Sequence, residues 1–212
     1  MTKPVLYDYW RSSASYRVRI ALNLKGVDYD RVPINLLENE QQADDYRARN
    51  PQGLVPTLEM DGQRLTQSLA VADWLDATIP QPRLLPADPA DRAHVLALAL
   101  TIAADIHPVN NLRILKYLTK LGIDQGARDN WYRHWVAEGF EALEALATPH
   151  AGTFLFGDTP TLADICLVPQ MYNARRFEQD LAPYPTLVRV DAAATALEAF
   201  AAAHPDRVAP AS

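Results

Sequence analysis

The turn Arg11-Ser12-Ser13-Ala14-Ser15 holds the residue types best placed to do chemistry in this chain. Ser12 and Ser15 stand in the register of a Cys-x-x-Cys redox pair, but neither is a thiol. The turn therefore cannot carry out dithiol exchange itself. It follows a short apolar run, Val5 to Tyr9, and precedes a helical pattern from Tyr16 to Lys25 that Gly26 should terminate. At such a junction the first backbone N–H groups lack partners and the helix dipole is positive, which favours an anion or thiolate. If thiol chemistry occurs, the sulfur must come from a ligand. A serine hydroxyl donating to that sulfur would pull its pKa below about 8.5. The same serines also suit plain helix capping, and spacing alone leaves both roles open.

Two other positions bear on this turn. Val55-Pro56 precedes a hairpin pattern, and a cis bond there would present the Val55 backbone to a ligand as one more strand. Gln67-Ser68 begins another helix, where the Ser68 hydroxyl and first-turn N–H groups would hold a carboxylate or simply cap the helix.

The elements that position these residues read as β-α-β-α-β-β-α. The second strand is expected over Tyr29 to Ile34, and Glu38 to Arg49 as a loop with a surface helix. A hairpin turns at Asp61-Gly62, and Ser68 caps a helix to Thr78. Pro80, Pro82, Pro86 and Pro89 then mark a boundary. Beyond it only helical patterns appear, over 92–104, 110–121, 130–147, 161–172 and 191–203. His107-Pro108 interrupts them, and a kinked helix there can open a pocket. The expected domains are 1–82, mixed α/β, and 88–212, all-helical.

With 212 residues, 49% hydrophobic and 22% charged, the chain has the balance of a globular protein. A net charge of -6 argues against a nucleic-acid partner. One cysteine, Cys166, excludes an internal disulfide and fits a reducing compartment, so a cytoplasmic location is expected. No apolar run approaches the roughly 20 residues that span a bilayer. The five histidines show no metal-ligand spacing, and no metal is expected.

The segments Arg11 to Leu22, Asn50-Pro51, Val55-Pro56-Thr57-Leu58, Gln67 to Ala70, Arg83 to Pro86, Thr161 to Asp164, Arg175-Arg176-Phe177 and Leu181 to Pro185 together resemble the zeta-class glutathione transferases. The resemblance implies a thioredoxin-like, glutathione-binding N-terminal domain and a helical, substrate-binding domain. It also implies a homodimer and glutathione as coenzyme. Members of the class isomerise maleylacetoacetate in tyrosine and phenylalanine catabolism, and close relatives isomerise maleylpyruvate. Both reactions convert a cis alkene between carbonyl groups to the trans form by thiolate addition, rotation and elimination.

Catalytic roles carried over by the resemblance fall to Ser12, Arg11 and Arg176. Arginine forks suit the carboxylates and developing enolate of a small dicarboxylate substrate. Glutathione contacts are expected from Ser12, Ser13, Ala14, Gln42, Val55, Gln67 and Ser68, with Gln41 an equal match to Gln42. From the helical domain His107, Asn110, Asn111 and Arg113 are expected. Asp164 should be structural, reaching back to the Thr161 N–H. The class usually has Cys at the position of Ala14 and Trp at that of Tyr16, so this turn lacks a second thiol. Competing readings are a general transferase acting on small electrophiles, which consumes glutathione, and a non-catalytic binding protein.

Overall fold

The computed structural model describes residues 3–210. Met1, Thr2, Ala211 and Ser212, at the ends of the two expected domains, lie outside them. Two compact units emerge, Met1–Leu84 with Ala196–Ser212, and Leu85–Thr195.

In the first unit β1 (Val5–Asp8) pairs in parallel with β2 (Asp30–Pro33), Leu6 opposite Arg31. On its other side β1 runs antiparallel to β3 (Thr57–Met60), Leu6 opposite Leu58, and β3 pairs with β4 (Gln63–Thr66). The order is β2-β1-β3-β4. The hairpin between β3 and β4 turns through Asp61 (φ 51°) and Gly62 (φ 74°), the two left-handed residues a tight hairpin needs. Alternation along β1 buries Leu6 and Asp8. Helix α1 (Ser13–Leu24) lays Val18, Ile20, Ala21 and Leu22 into the core. It ends as expected at Gly26 (φ 66°): the Val27 and Gly26 N–H groups donate back to Leu22 and Asn23. A 3-10 turn (Glu40–Gln42) and short α2 (Asp44–Arg47) fill the loop, and α3 (Ser68–Thr78) closes the βαβαββα order.

Residues 196–212, which sequence patterning placed with the helical domain, belong to this first unit. Polar side chains of α1 seek the tail's carbonyls: Tyr16 donates to Phe200, Arg19 to Ala203 and Asn23 to Ala199. The expected helix over 191–203 is accordingly two, α9 (Pro185–Thr195) and α10 (Glu198–Ala201), separated by extended Leu197. A last turn, α11, spans Pro205–Val208.

The second unit packs α4 (Pro89–Leu100), α7 (Gln125–Ala147), α8 (Leu162–Arg176) and α9 around Phe140, Leu143, Ile165, Leu167, Leu187 and Val190. Asp164 closes the α8 capping box, accepting from Thr161 N–H (2.7 Å), Thr161 O–H (3.0 Å) and Leu155 N–H (2.8 Å). Burial pushes its pKa up to about 6 against these donors. Between α4 and α7 the chain forms a π turn (Thr101–Ile106), then α5 (His107–Val109) and α6 (Leu112–Lys120). Pro108 lacks the N–H that a continuous α-helix would use. Gly139 of α7 leaves room for Ile106, which a Cβ there would approach to 2.2 Å. By length and composition alone the run Pro89–Lys120 is apolar enough to cross a membrane, although charged residues break it into stretches well short of 20 apolar residues. It is broken by the π turn and the Asn111 cap, and it carries Asp105, Arg113, Lys116 and Lys120.

Candidate active site

Ser12 is the N-cap of α1, with extended backbone (φ −69°, ψ 123°). Its Oγ accepts the Ser15 N–H at 3.2 Å, and its own N–H donates to Tyr9 O at 2.9 Å. A hydroxyl carries one donor and two acceptor positions. Using an acceptor for the cap leaves the O–H proton available for a ligand atom. Capping and ligand binding, set against each other on sequence grounds, are compatible here. Ser13 and half-buried Ala14 supply first-turn N–H groups, the kind a helix cannot satisfy internally. Arg11 is exposed, its guanidinium 4.2 Å from the Trp10 ring centroid.

The second cradle lies at α3. The Val55–Pro56 bond is cis, and Val55 packs with Ile34 and Tyr46. Gln67, not Ser68, is the N-cap residue, and it makes no side-chain cap bond. At φ 67° and ψ 111° its backbone is in a region costly for a non-glycine residue, the kind of strain that clusters at ligand sites. Its amide donates to Gln52 Oε1 at 2.7 Å. Ser68 is buried, and its Oγ accepts from Arg17 Nη1 at 3.1 Å, because α1 directs a buried guanidinium at the start of α3. Gln42 is committed differently from expectation. Its amide donates to Gly53 O (3.1 Å) and accepts from Arg47 (2.9 Å), holding the loop before Val55. It is Gln41 whose buried Oε1 lacks a partner among the described residues.

In the helical unit His107 opens α5, with Nε2 3.5 Å from Asn111 Nδ2. Asn111 Oδ1 accepts from the Arg113 N–H at 3.1 Å, so Asn111 caps α6, and Arg113 is exposed beside it. Asn110 is buried. Its Nδ2 donates to Tyr132 O at 3.4 Å, and its Oδ1 has no partner among the described residues. Arg176 ends α8, where Nη1 donates to Asn173 Oδ1 at 3.2 Å and the guanidinium lies 5.8 Å and 5.9 Å from the Tyr172 and Phe177 rings. Burial holds the Tyr132 phenol protonated by raising its pKa.

Residues 6–83 match the glutathione S-transferase N-terminal domain and residues 129–209 its C-terminal domain. A maleylacetoacetate isomerase of Rhizobium meliloti is 52% identical over 208 residues, 97% of this chain and 98% of that one. A bacterial zeta-class holo maleylpyruvate isomerase superposes with a TM-score of 0.95 at 48% identity, over 98% of this chain and 100% of that chain. The chain belongs to the zeta-class glutathione S-transferases. A further likeness is to the maleylacetoacetate isomerase of Anaeromyxobacter dehalogenans, solved with dicarboxyethyl glutathione and citrate in its active site. Its TM-score is 0.89 at 46% identity, over 99% of this chain and 98% of that chain.

This turn has no thiol of its own, since Ala14 stands where the resemblance led us to expect a cysteine. The one cysteine, Cys166, is fully buried in α8. Sequence reasoning passed over three residues around the turn. Arg17 ties the starts of α1 and α3, and Asp8 with Arg19 forms a buried ion pair at 2.7 Å below the turn. The available signal was the pair of arginines within the otherwise apolar stretch Tyr16 to Leu22.

Proposed function

We propose that this chain is a glutathione-dependent cis–trans isomerase that converts maleylacetoacetate to fumarylacetoacetate. The observation that carries the reading is the Ser12 hydroxyl, which caps α1 through its oxygen and keeps its proton for a ligand sulfur. The residues fit glutathione. Ser12, Ser13 and Ala14 line the first turn of α1, Val55 precedes the cis Pro56, and Gln67 and Ser68 begin α3. The orphaned Oε1 favours Gln41 over Gln42 as a further contact. Bound glutathione supplies a thiolate that adds to the alkene and later leaves, making the central bond single in between.

The protein's own residues do the remaining work. The Ser12 O–H and the N–H groups of Ser13 and Ala14 stabilise negative charge at the sulfur. Arg11 and Arg176 hold the substrate carboxylate, charged throughout, and the enolate oxygen, whose charge develops only on addition. His107, Asn110, Asn111 and Arg113 are the helical-unit contacts in this reading, with Asn111 acting chiefly as a cap. The dicarboxyethyl thioether of glutathione held by the Anaeromyxobacter isomerase has the connectivity expected of sulfur added to a four-carbon dicarboxylate, which supports the same chemistry here.

Maleylpyruvate is the second substrate reading, favoured by the likeness to the holo maleylpyruvate isomerase. Assaying both substrates with catalytic glutathione separates them. Turnover of either with glutathione consumed in proportion would overturn the isomerase reading in favour of a general transferase. We also place the enzyme in the cytoplasm, as its single buried cysteine suggests, and as a homodimer. Sedimentation as one species of 23.6 kDa would refute the dimer.

A further inference from the structure

Asp8 closes β1 with 0% exposure, and Arg19, in the second turn of α1, is equally buried. Arg19 Nη1 donates to Asp8 Oδ2 at 2.7 Å. Arg31 of β2 grips the same carboxylate with two bonds, Nε to Oδ2 at 3.2 Å and Nη2 to Oδ1 at 3.1 Å. Two guanidiniums thus surround one carboxylate. Burial lowers the Arg19 pKa and Asp8 opposes that. Such buried ionic clusters are poor stabilisers, because well-packed apolar side chains of similar volume often do as well or better. Their presence here asks for a positional reason.

The geometry supplies one. Arg19 Nη2 donates to Trp10 O at 3.0 Å, and Arg19 Nε to Ala203 O at 3.0 Å, so the fork holds β1, the turn and the tail together. Arg31 Nη1 holds the tail again, at Val208 O, 2.9 Å. Trp10 lies two residues before Ser12. The turn borders a cavity of about 530 Å³ whose lining includes Asp8 and Arg31 of the cluster itself, together with Tyr9, Trp10, Arg11 and Val208. Cluster and turn thus share one wall of that cavity, and the Arg19 bond to Trp10 O ties the turn to the cluster.

We propose that Asp8 and Arg19, steadied by Arg31, are positioning residues that hold the Trp10 carbonyl and thereby the Ser12 hydroxyl, setting ionisation of the bound thiol without touching substrate. This rests on the role given to Ser12 above. Lysine cannot replace Arg19 here, since a single ammonium lacks the planar fork that reaches three elements.

The test compares wild type with Arg19→Lys and Arg31→Gln. The readouts are the pH titration of thiolate ultraviolet absorbance in the glutathione complex, kcat and KM for glutathione, and thermal melting. Arg19→Lys is expected to raise the bound thiol pKa and to lower kcat by about 10- to 100-fold, the scale of a roughly 1 Å misplacement, while KM for glutathione changes little. Arg31→Gln, at a partly exposed side chain, should shift both in the same direction by less, and it carries the test if Arg19→Lys does not fold. A folded variant with lowered melting temperature but wild-type thiol pKa and kcat would overturn the proposal, leaving the cluster a scaffold only. The titration needs no alkene. A wild type that ionises bound glutathione but isomerises neither substrate refutes the functional reading alone.

Discussion

Replacing Ser12 by alanine removes two interactions of different kinds, and their sizes separate the two roles of the residue. The cap is the Ser15 N–H bond to Oγ at 3.2 Å, longer than the usual 2.9–3.0 Å for N–H···O. Its loss should cost about 0.5–1 kcal/mol of stability, the lower part of the range for cap deletions. The other interaction is the O–H bond to a thiolate, a hydrogen bond to a charged group worth about 1.5–3 kcal/mol. At about 1.36 kcal/mol per pKa unit, its loss raises the bound thiol pKa by about 1–2 units. At pH below the bound thiol's own pKa the thiolate fraction, and kcat with it, then falls by about 10- to 100-fold, and the two enzymes converge as pH rises. Denaturant unfolding measures the first quantity, and thiolate absorbance with steady-state kinetics the second. Glutathione should still bind through the Val55 backbone, Gln67 and Ser68. Ser12→Thr keeps the hydroxyl and should restore most of the thiol shift. A Ser12→Ala enzyme with reduced stability but unchanged thiol pKa and kcat would refute the reasoning and make Ser12 a cap alone.

Arg17→Met should deprive the Ser68 hydroxyl of a charged donor, costing about 1.5–3 kcal/mol and raising KM for glutathione; urea melts and glutathione titration check both. Burial holds Asp164 protonated up to about pH 6, well above the 3.8 of a free aspartate, so its stabilisation is complete below pH 3.8 and is lost as pH rises through 6. Wild type should therefore lose stability between those values relative to Asp164→Asn, by at most about 3 kcal/mol in urea melts; parallel curves would contradict this. Alkylation by iodoacetamide should leave native activity intact, because Cys166 is fully buried, whereas Ala14→Cys should become sensitive.

The fold was legible wherever local chemistry decides structure. Asp61-Gly62 could only be a tight hairpin turn, Gly26 a left-handed helix stop, and Thr161 with Asp164 a capping box, and each is found so. The site was legible as a turn but not as a network. Ser68 read as a cap because serine at a helix start usually is one; the arginine that claims its hydroxyl lies 51 residues away in sequence. Gln42 and Gln41 are indistinguishable by pattern, and only the packing of Gly53 against the loop commits Gln42. The tail's grouping with the first unit was hidden for the same reason. Its apolar periodicity continues that of the helical domain, but Tyr16, Asn23 and Arg19 capture its carbonyls, and side-chain-to-backbone bonds of that kind leave no mark on hydropathy.

The absent cysteine at Ala14 sharpens what the turn needs. A neighbouring thiol would join a coenzyme thiolate in a mixed disulfide only where an oxidant takes up two electrons, and short of that it acts as one more weak S–H donor to the sulfur. With Ala14 in the first turn and Cys166 sealed inside α8, no thiol of the described residues donates to the sulfur. What remains to stabilise the thiolate is oxygen and nitrogen donors: one hydroxyl proton, the first-turn amides and the helix dipole. Donors of this kind act only over hydrogen-bond distances, so they demand precision from a turn that borders a cavity. The buried arginines follow from that demand. Arg17 fixes one helix start against the other and Arg19 fixes the turn against the sheet. A cradle without its own thiol therefore depends more on its supports, and loss of Arg19 should be felt more strongly here than in an Ala14→Cys background, where a second thiol can share the stabilisation of the sulfur.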